Sequence, residues 1–371
     1  MPNKKRILFL TRPICPPWDE ASKNFAYTLA RHTNGFEIHL LTYGKTTDLP
    51  KNIVQHGIYS SPKLNLTQKF RLFRFLKKAN SFDIVHFLFT PTKLNSFLIK
   101  LALGRKKAKL IQSVATLRED LYNTEDFKKM LFGDLIVVYS DYAKEKLEEM
   151  GLKNVKRIYP GIDLEKYRPN PKKIILMEKY GIKNNDFVIN FTGEYMRLGA
   201  IDDVVESFIN IAKENENFHL QLACRMKNKA DAKKKEEIVK KLKAAECLPK
   251  VSFFDDQSYE MADVYNLADI SLFPVRDMRG KFDIPLAVIE AMACGKPVIA
   301  SNLERLRHFL NSENSLLINP GDRQTLQENI LYLYKNPDRR RELGEKGLRF
   351  VRENFDIIKV AKEYEDVYRN L

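Results

Sequence analysis

The sequence predicts an α/β protein with two domains, each built on a parallel β-sheet that helices cover on both faces. Three observations support this prediction. The chain has 371 residues, too many for one ordinary core. Short apolar runs alternate with helix-like stretches in two successive series, as in buried parallel sheets. A segment rich in proline, over residues 160–172, separates the two series and is typical of a domain connection.

The first series predicts the strands and one helix of an N-terminal domain. A helix is predicted over residues 20–33. The predicted strands are RILFLT (6–11), FEIHLLTY (36–43), FDIVHFLF (82–89), KLIQSVA (109–115) and DLIVVYS (134–140).

The second series repeats the same alternation. A helix is predicted over 202–214, where apolar residues recur at spacings of three and four. Ligands of such sheets bind at the carboxyl ends of the strands, so we expect a cleft between the two domains. The predicted strands are FVINFTG (187–193), FHLQLAC (218–224), VSFFD (251–255), ISLFPV (270–275) and PVIAS (297–301).

The net charge of +15 admits three explanations. A basic surface could bind nucleic acid, but the sequence contains no zinc-finger or RNP motif, which argues against a nucleic-acid partner. Anionic lipid headgroups would attract the same surface. A phosphate-bearing substrate needs only local positive charge. Charge alone does not choose among them.

The sequence favours a cytoplasmic protein. No apolar run approaches the roughly 18 residues that span a bilayer. The N-terminal MPNKKRILFLTRP has an apolar stretch too short for a signal peptide and is better interpreted as a first strand. Cys15, Cys224, Cys247 and Cys294 lack metal-like spacing, and we expect them to be reduced thiols.

The stretch FDIPLAVIEAMACGKPVIAS (282–301) predicts a buried helix over Ile284–Cys294. Asp283 is expected to cap its N-terminus, and Gly295 to end it. A helix N-terminus that follows a strand can bind phosphate. Glu290 lies among apolar residues, and a buried carboxylate needs hydrogen-bond donors, which the paired hydroxyls of a ligand could supply.

Three segments resemble the family 4 retaining glycosyltransferases, which have the GT-B fold of two Rossmann-like doubly wound domains facing each other across a cleft. They are PLAVIEAMACGKPVIAS (285–301), FTGEYMRLGAIDDVVESF (191–208) and the segment 133–169. The resemblance implies transfer of a sugar with retention from a nucleotide sugar, which is a substrate, and no cofactor. It also implies that Glu290 holds the ribose hydroxyls.

The resemblance assigns domains and site residues. The N-terminal acceptor domain would span 1–167, the donor domain 168–354, and a C-terminal helix over 355–371 would return to the first domain. The implied donor-binding residues are Gly193, Glu194, Asp283, Ile284, Leu286 and Glu290.

Four positions depart from the family pattern. Phe282 stands where the family usually has glutamate, Pro285 where it has glycine, and Glu194 where it has arginine. Ala115 occupies the place of a histidine that many members have. One alternative is therefore a catalytically weakened nucleotide-binding or scaffold protein. Another is a related GT-B enzyme, such as a sugar phosphorylase or a nucleotide-sugar epimerase.

The sequence contains no Asp-x-Asp and no cluster with metal-ligand spacing, so we expect a metal-independent hexosyltransferase-type enzyme. Without a metal, cations must stabilise the departing diphosphate. Arg197 and Lys281 are the catalytic candidates. On the acceptor side, the candidates are Arg12, Trp18 and Asp19 in the segment 12–30.

The stretch QKFRLFRFLKK (68–78) interleaves five cations with aromatic and aliphatic residues. A basic, aromatic helix suits the membrane interface, although a wholly structural helix is the alternative. The partners expected from the sequence are thus a nucleotide sugar, an acceptor glycan or glycolipid, and an anionic membrane surface that binds the protein peripherally.

Overall fold

The structure, a computed structural model, describes residues 4–16, 20–45, 49–62, 65–78, 81–104, 107–255 and 259–371. The chain divides into two compact units. The first unit comprises Met1–Asp163, Gly280–Ile284 and Asn354–Leu371. The second comprises Leu164–Arg279 and Pro285–Glu353. The segment Gly280–Ile284 therefore groups with the first unit, whereas the sequence placed it within the predicted donor domain.

The first unit contains a parallel sheet of seven strands in the order β3-β2-β1-β4-β5-β6-β7. This is a doubly wound arrangement, as predicted. Its strands are β1 (Arg6–Ile14), β2 (Glu37–Tyr43), β3 (Ile53–Tyr59), β4 (Ile84–Leu88), β5 (Lys109–Val114), β6 (Leu135–Val138) and β7 (Val155–Arg157).

In the part of the first unit that the structure describes, five helices connect these strands, and local capping explains where two of them begin. The Thr92 hydroxyl accepts the backbone N–H of Asn95, and Asn123 and Asp126 form a capping box. The helices are α1 (Ala21–His32), α2 (Leu66–Lys78), α3 (Lys93–Leu103), α4 (Thr124–Met130) and α5 (Asp141–Glu149).

The second unit repeats the architecture with six parallel strands in the order β10-β9-β8-β11-β12-β13. They are β8 (Phe187–Glu194), β9 (Phe218–Arg225), β10 (Val251–Phe253), β11 (Ile270–Phe273), β12 (Val298–Ser301) and β13 (Ser315–Ile318). The helices are α6 (Ile174–Tyr180), α7 (Ala200–Glu214), α8 (Lys229–Ala244), α9 (Met261–Leu267), α10 (Leu286–Ala293), α11 (Glu304–Arg307), α12 (Arg323–Lys335) and α13 (Pro337–Asn354).

The predicted start of α10 was wrong by two residues. The helix begins at Leu286, and Pro285 occupies the N-cap position without a capping side chain. Proline disfavours helical backbone at the residue before it, which removes Ile284 from the helix. The Asp283 carboxylate does not cap α10; it accepts the backbone N–H of Leu117 at 3.2 Å.

The last helix, α14 (Ile357–Asn370), packs into the core of the first unit. Tyr364 and Tyr368 are fully buried there, and the Lys5 ammonium donates to the carbonyl of Tyr368 at 3.1 Å. The start of α14 lies close to the backbone of Gly161. A Cβ atom added at Gly161 would lie only 2.6 Å from Ile357 Cδ1, so a larger residue would not fit there. The C-terminal segment thus completes a core whose strands come from the start of the chain.

No helix among the described residues is both long and apolar enough to cross a membrane.

Candidate functional site

The carboxylate of Glu290 is partly buried on α10 and accepts hydrogen bonds from two tyrosines. The Tyr265 hydroxyl, from α9, donates at 3.1 Å, and the Tyr167 hydroxyl also donates. Burial raises the pKa of Glu290 to about 7, although both hydrogen bonds oppose the rise. Glu290 therefore changes charge near neutral pH, which is unusual for a glutamate and typical of functional sites.

Polar side chains link Glu290 to the carboxyl ends of the central strands. The Tyr265 hydroxyl also bonds to the side chain of Thr192, next to the end of β8. The Asn190 amide donates to Thr192 Oγ1 at 3.2 Å and to Ser271 Oγ at 3.1 Å. Since ligands of doubly wound sheets bind at this edge, Glu290 lies where the fold expects a ligand.

The loop from β8 to α7 has a strained and fixed backbone. Leu198 has a φ of 69°, in the left-handed region that only glycine adopts without cost, and Gly199 follows at 67°. The Arg276 N–H donates to the Leu198 carbonyl at 2.9 Å, and its guanidinium pairs with buried Asp203. The protein thus fixes this loop directly before the N-terminus of α7, where anions are favoured.

A cluster of three cations surrounds the carboxylate of Glu194, where β8 ends. Arg225 Nη2 lies 2.9 Å from Glu194 Oε1, Lys227 Nζ lies 3.2 Å from it, and Arg197 Nη1 lies 3.8 Å from Oε2. Glu194 is 7% exposed. Three cations thus lie together at the end of β8, on the edge of the sheet where ligands of this fold bind.

Sequence reasoning missed Arg225 and Lys227. Arg225 ends β9, which pairs with β8 so that Arg225 lies opposite Glu194. The available signal was the position of both cations directly after the predicted strand 218–224, because parallel neighbours bring their carboxyl ends together.

The two catalytic candidates lie in different units. Arg197 belongs to the second unit, and its Nη2 donates to the Arg279 carbonyl at 3.2 Å. Lys281 lies in Gly280–Ile284 of the first unit. In that segment the Phe282 ring packs edge-on against Tyr139, with centroids 5.7 Å apart.

The predicted donor-binding residues are likewise divided. Asp283 and Ile284 are fully buried in the first unit, and the Asp283 N–H donates to the carbonyl of Ala115 at 3.0 Å. Gly193 and Leu286 are partly exposed in the second unit, together with Glu194 and Glu290 described above.

The first unit contains a cavity of about 310 Å³ at the carboxyl ends of β1, β4 and β5, where α2 and α3 form its wall. Arg12 lines the cavity, and its Nη1 lies 2.9 Å from the nearer carboxylate oxygen of Glu20. Thr90 and Thr116 add hydroxyl groups to the lining. The other two acceptor-side candidates, Trp18 and Asp19, lie outside the described residues.

Among the residues that the structure describes, no group of three or more histidine, cysteine, aspartate or glutamate side chains could hold a metal ion. The four cysteines are free and buried.

Comparison with known families gives matches over both halves of the chain. The family described as "Glycosyltransferase Family 4" matches residues 23–166, and the family described as "Glycosyl transferases group 1" matches residues 186–336.

Two curated relatives span most of the chain. N-acetyl-alpha-D-glucosaminyl L-malate synthase of Bacillus anthracis is 22% identical over 357 residues, covering 90% of this chain and 89% of the relative. An uncharacterised glycosyltransferase of Methanocaldococcus jannaschii is 22% identical over 331 residues, covering 84% of this chain and 81% of the relative.

Solved structures share the fold. HepE of Anabaena, crystallised with UDP and glucose, superposes with a TM-score of 0.78 at 15% identity and covers 100% of both chains. Sucrose-phosphate synthase of Thermosynechococcus elongatus superposes with a TM-score of 0.78 at 17% identity and covers 99% of both chains. These structural matches confirm the GT-B fold that the sequence predicts.

Proposed function

The chain belongs to the group 1, family 4 glycosyltransferases of the GT-B fold, and from that premise we propose that it transfers a hexose from a nucleotide sugar, with retention and without a metal ion. The acceptor would be a glycan or a glycolipid. The observation that carries the proposal is Glu290, a carboxylate of raised pKa at the carboxyl edge of the second unit's sheet. HepE, of the same fold, was crystallised with UDP and with UDP-glucose, which supports a donor of this class.

Glu290 would bind the ribose of the donor. An ionised carboxylate accepts two hydrogen bonds from neighbouring hydroxyls, each worth about 1.5–3 kcal/mol. The hydroxyls of Tyr265 and Tyr167 already donate to Glu290 and fix its orientation. Binding would replace water by ribose hydroxyls without moving the carboxylate, so little reorganisation is needed.

The departing diphosphate would be stabilised by cations of the second unit. Arg197 is the catalytic candidate there, and Arg225 and Lys227 extend the same cluster beyond Glu194. Cations held in place before the reaction stabilise the negative charge that develops on the leaving diphosphate. Lys281 remains a second candidate from the first unit. Turnover should therefore persist in excess chelator.

We propose retention of the anomeric configuration because the family retains it. The proposal does not depend on identifying a nucleophilic residue. The acceptor would attack the face from which the diphosphate leaves, and the leaving phosphate would accept the proton of the attacking hydroxyl. The anomeric configuration of the product, determined by NMR, tests this part directly.

On the acceptor side, the cavity of the first unit would receive the acceptor, with Arg12 in its lining. Arg71, Arg74 and Lys77 of α2 are exposed, and Phe70 beside them is 61% exposed. An anionic membrane attracts such a surface, so we include peripheral membrane association in the proposal.

Titration calorimetry with a panel of nucleoside diphosphates and their sugars tests the proposal. Glu290→Gln keeps the size of the side chain but removes its charge, and should weaken donor binding at least about tenfold. Glu345→Gln, at an exposed glutamate of α13, is the matched control and should bind donor normally. If wild type binds no nucleotide, or if Glu290→Gln binds as tightly as wild type, the assignment fails.

The principal rival is a nucleotide-binding protein without turnover. Pro285 lacks the N–H that a residue at the start of α10 could offer to a phosphate, and this favours the rival. Tight donor binding with no release of nucleoside diphosphate would support a binding protein without turnover.

A further inference from the structure

Helices α2 and α3 pack against each other and expose large apolar side chains to solvent. These five residues, the apolar rim, are between 58% and 83% exposed. They are Leu66 and Phe70 of α2, and Leu94, Phe97 and Leu101 of α3. Scattered apolar residues are ordinary on a protein surface, whereas large apolar side chains concentrated on neighbouring elements are a feature of interaction sites.

The part of the rim on α2 adjoins the cavity of the first unit. Successive residues of an α-helix are about 100° apart around its axis. Leu72, Phe73 and Leu76 therefore share one face, and all three line the cavity. Leu66 and Phe70 lie on the neighbouring strip, next to Phe73.

The same relation holds on α3. Leu98, Ile99 and Ala102 line the cavity from this helix. Leu94 and Leu101 lie on the strip beside Leu98, by the same helical spacing. Phe97 lies next to Leu101, on the side away from the cavity. The rim thus borders the cavity on both helices, so one apolar ligand could contact the exposed rim and the cavity lining together.

The charged residues of α2 and α3 are all basic. Five lysines and arginines occur in the 13 residues of α2, two lysines occur in the 11 residues of α3, and neither helix contains an acidic residue. Lys93 pairs with Asp126 of α4, but Arg71, Arg74 and Lys77 are exposed. Exposed cations of this kind are attracted to an anionic bilayer.

The strand ends add polar groups to the lining, namely Thr11, Arg12, Thr90 and Thr116 of or after β1, β4 and β5. The wall formed by α2 and α3 is mostly apolar, with Lys69 and Asn95 as its polar residues. The cavity therefore combines an apolar wall with hydroxyl and charged groups, which matches a molecule with a hydrocarbon chain and a polar head. At about 310 Å³, it could hold only part of a long chain.

We propose that this cavity binds the hydrocarbon chain of a lipid-linked acceptor while the apolar rim inserts into an anionic membrane. The inference rests on the proposed function and narrows its acceptor to a lipid. Nucleic acid fits the charge but not the apolar lining. In the bound state, the lipid's head would lie among the threonines near Arg12, and its remaining chain would stay in the bilayer.

Photocrosslinking tests the proposal. The full-length protein is mixed with vesicles of equal parts phosphatidylcholine and phosphatidylglycerol, in which a trace of the phosphatidylglycerol carries a diazirine on its acyl chain. Mass spectrometry then locates the labelled residues. We expect label on Leu72, Phe73 and Leu98 of the cavity wall in addition to the rim.

Two variants separate the cavity from the rim. Ala102→Phe fills the cavity and should reduce cavity label at least fivefold, while co-sedimentation with the vesicles is unchanged. Ala232→Phe adds the same bulk at an exposed position of α8 and should behave as wild type. Leu98→Asn, which makes the wall polar without adding bulk, should also lower the label; circular dichroism confirms that each variant is folded.

The outcomes are distinguishable from failure of the proposed function. Label confined to the rim, or cavity label unchanged by Ala102→Phe and Leu98→Asn, would overturn the inference. If those results accompany normal binding of UDP, the glycosyltransferase proposal stands and only the lipid inference falls. Cavity label in a protein that binds no nucleotide would support the lipid site and reject the proposed function.

Discussion

Glu290 is the residue whose chemistry is most specific. Two tyrosine hydroxyls donate to it, yet burial still raises its pKa to about 7. The carboxylate therefore carries a solvation penalty when the site has no ligand. Ribose hydroxyls would relieve that penalty, because they favour the ionised form.

This pKa predicts that donor affinity rises with pH. Below pH 7 Glu290 is mostly protonated and is a poorer acceptor, whereas above pH 7 it is ionised. The dissociation constant of a nucleotide sugar should be about tenfold smaller at pH 8 than at pH 6. Nucleotide sugars suit the calorimetry because their phosphodiester groups do not titrate in this range. Glu290→Gln should show no such trend, and a trend preserved in that variant would assign it to another group.

Arg225 is the second residue whose substitution should have a specific effect. It bonds to Glu194 and ends the strand beside it, so it should contribute charge to diphosphate binding. Arg225→Gln should lower turnover about tenfold to a hundredfold, the usual cost of a charge-assisted hydrogen bond. Arg341→Gln, at an exposed arginine of α13, is the control. Equal rates in the two variants would make Arg225 merely the counterion of Glu194.

At the scale of elements, the sequence predicts the buried strands well and the peripheral strands poorly. The long apolar runs gave β1, β4, β5, β8 and β9, because burial on both faces leaves a continuous apolar signal. The strands that the sequence does not reveal are β3, β7 and β13, all at sheet edges, and β7 has only three residues. β3 contains Gln55 and His56, and its pairing with β2 is a tertiary contact that no local pattern records.

The candidate site was predictable in part for the same reason. Glu290 stands out as one charge within an apolar helix, so the sequence alone identifies it. Arg225 and Lys227 acquire meaning only when β9 is placed beside β8. The exposed faces of Phe97 and Leu101 on α3 were also missed, because an apolar helix does not show by sequence which face the core leaves open.

The exposed cations of helix α2 are expected to bind anionic membranes. Arg71→Gln with Arg74→Gln removes two exposed charges and should weaken binding to phosphatidylglycerol vesicles about thirtyfold, from about 1 kcal/mol for each charge. Lys233→Gln with Lys240→Gln removes two exposed charges from α8 and should have little effect. Co-sedimentation measures both. Equal losses in the two double variants would indicate attraction by net charge rather than by this helix.

At the scale of the whole molecule, the C-terminal helix α14 completes the hydrophobic core of the first unit. The Tyr368 hydroxyl bonds to His86 Nδ1 at 2.8 Å, and His86 Nε2 bonds to Ser113 Oγ at 2.7 Å. Burial lowers the pKa of His86 to about 3, so the histidine is neutral and serves as a structural link between β4, β5 and α14. His86 is therefore a core residue.

Tyr368→Ala should therefore lower the free energy of unfolding of the first unit by about 3–5 kcal/mol, the cost of emptying a large buried aromatic site. Tyr332→Ala, at a half-exposed tyrosine of α12, should change it by less than about 0.5 kcal/mol. Urea denaturation followed by circular dichroism measures the difference. A value for Tyr368→Ala close to that of the control would mean that α14 adds little to the core.

The central claim is that this protein turns over a nucleotide sugar. The most direct measurement is release of nucleoside diphosphate from a panel of nucleotide sugars, with phosphatidylglycerol vesicles and alkyl glycosides as acceptors and with excess chelator. We expect acceptor-dependent release from at least one donor in chelator, reduced about tenfold or more in Glu290→Gln. Nucleotide binding without release above a heat-denatured control, for every donor and acceptor, would contradict it.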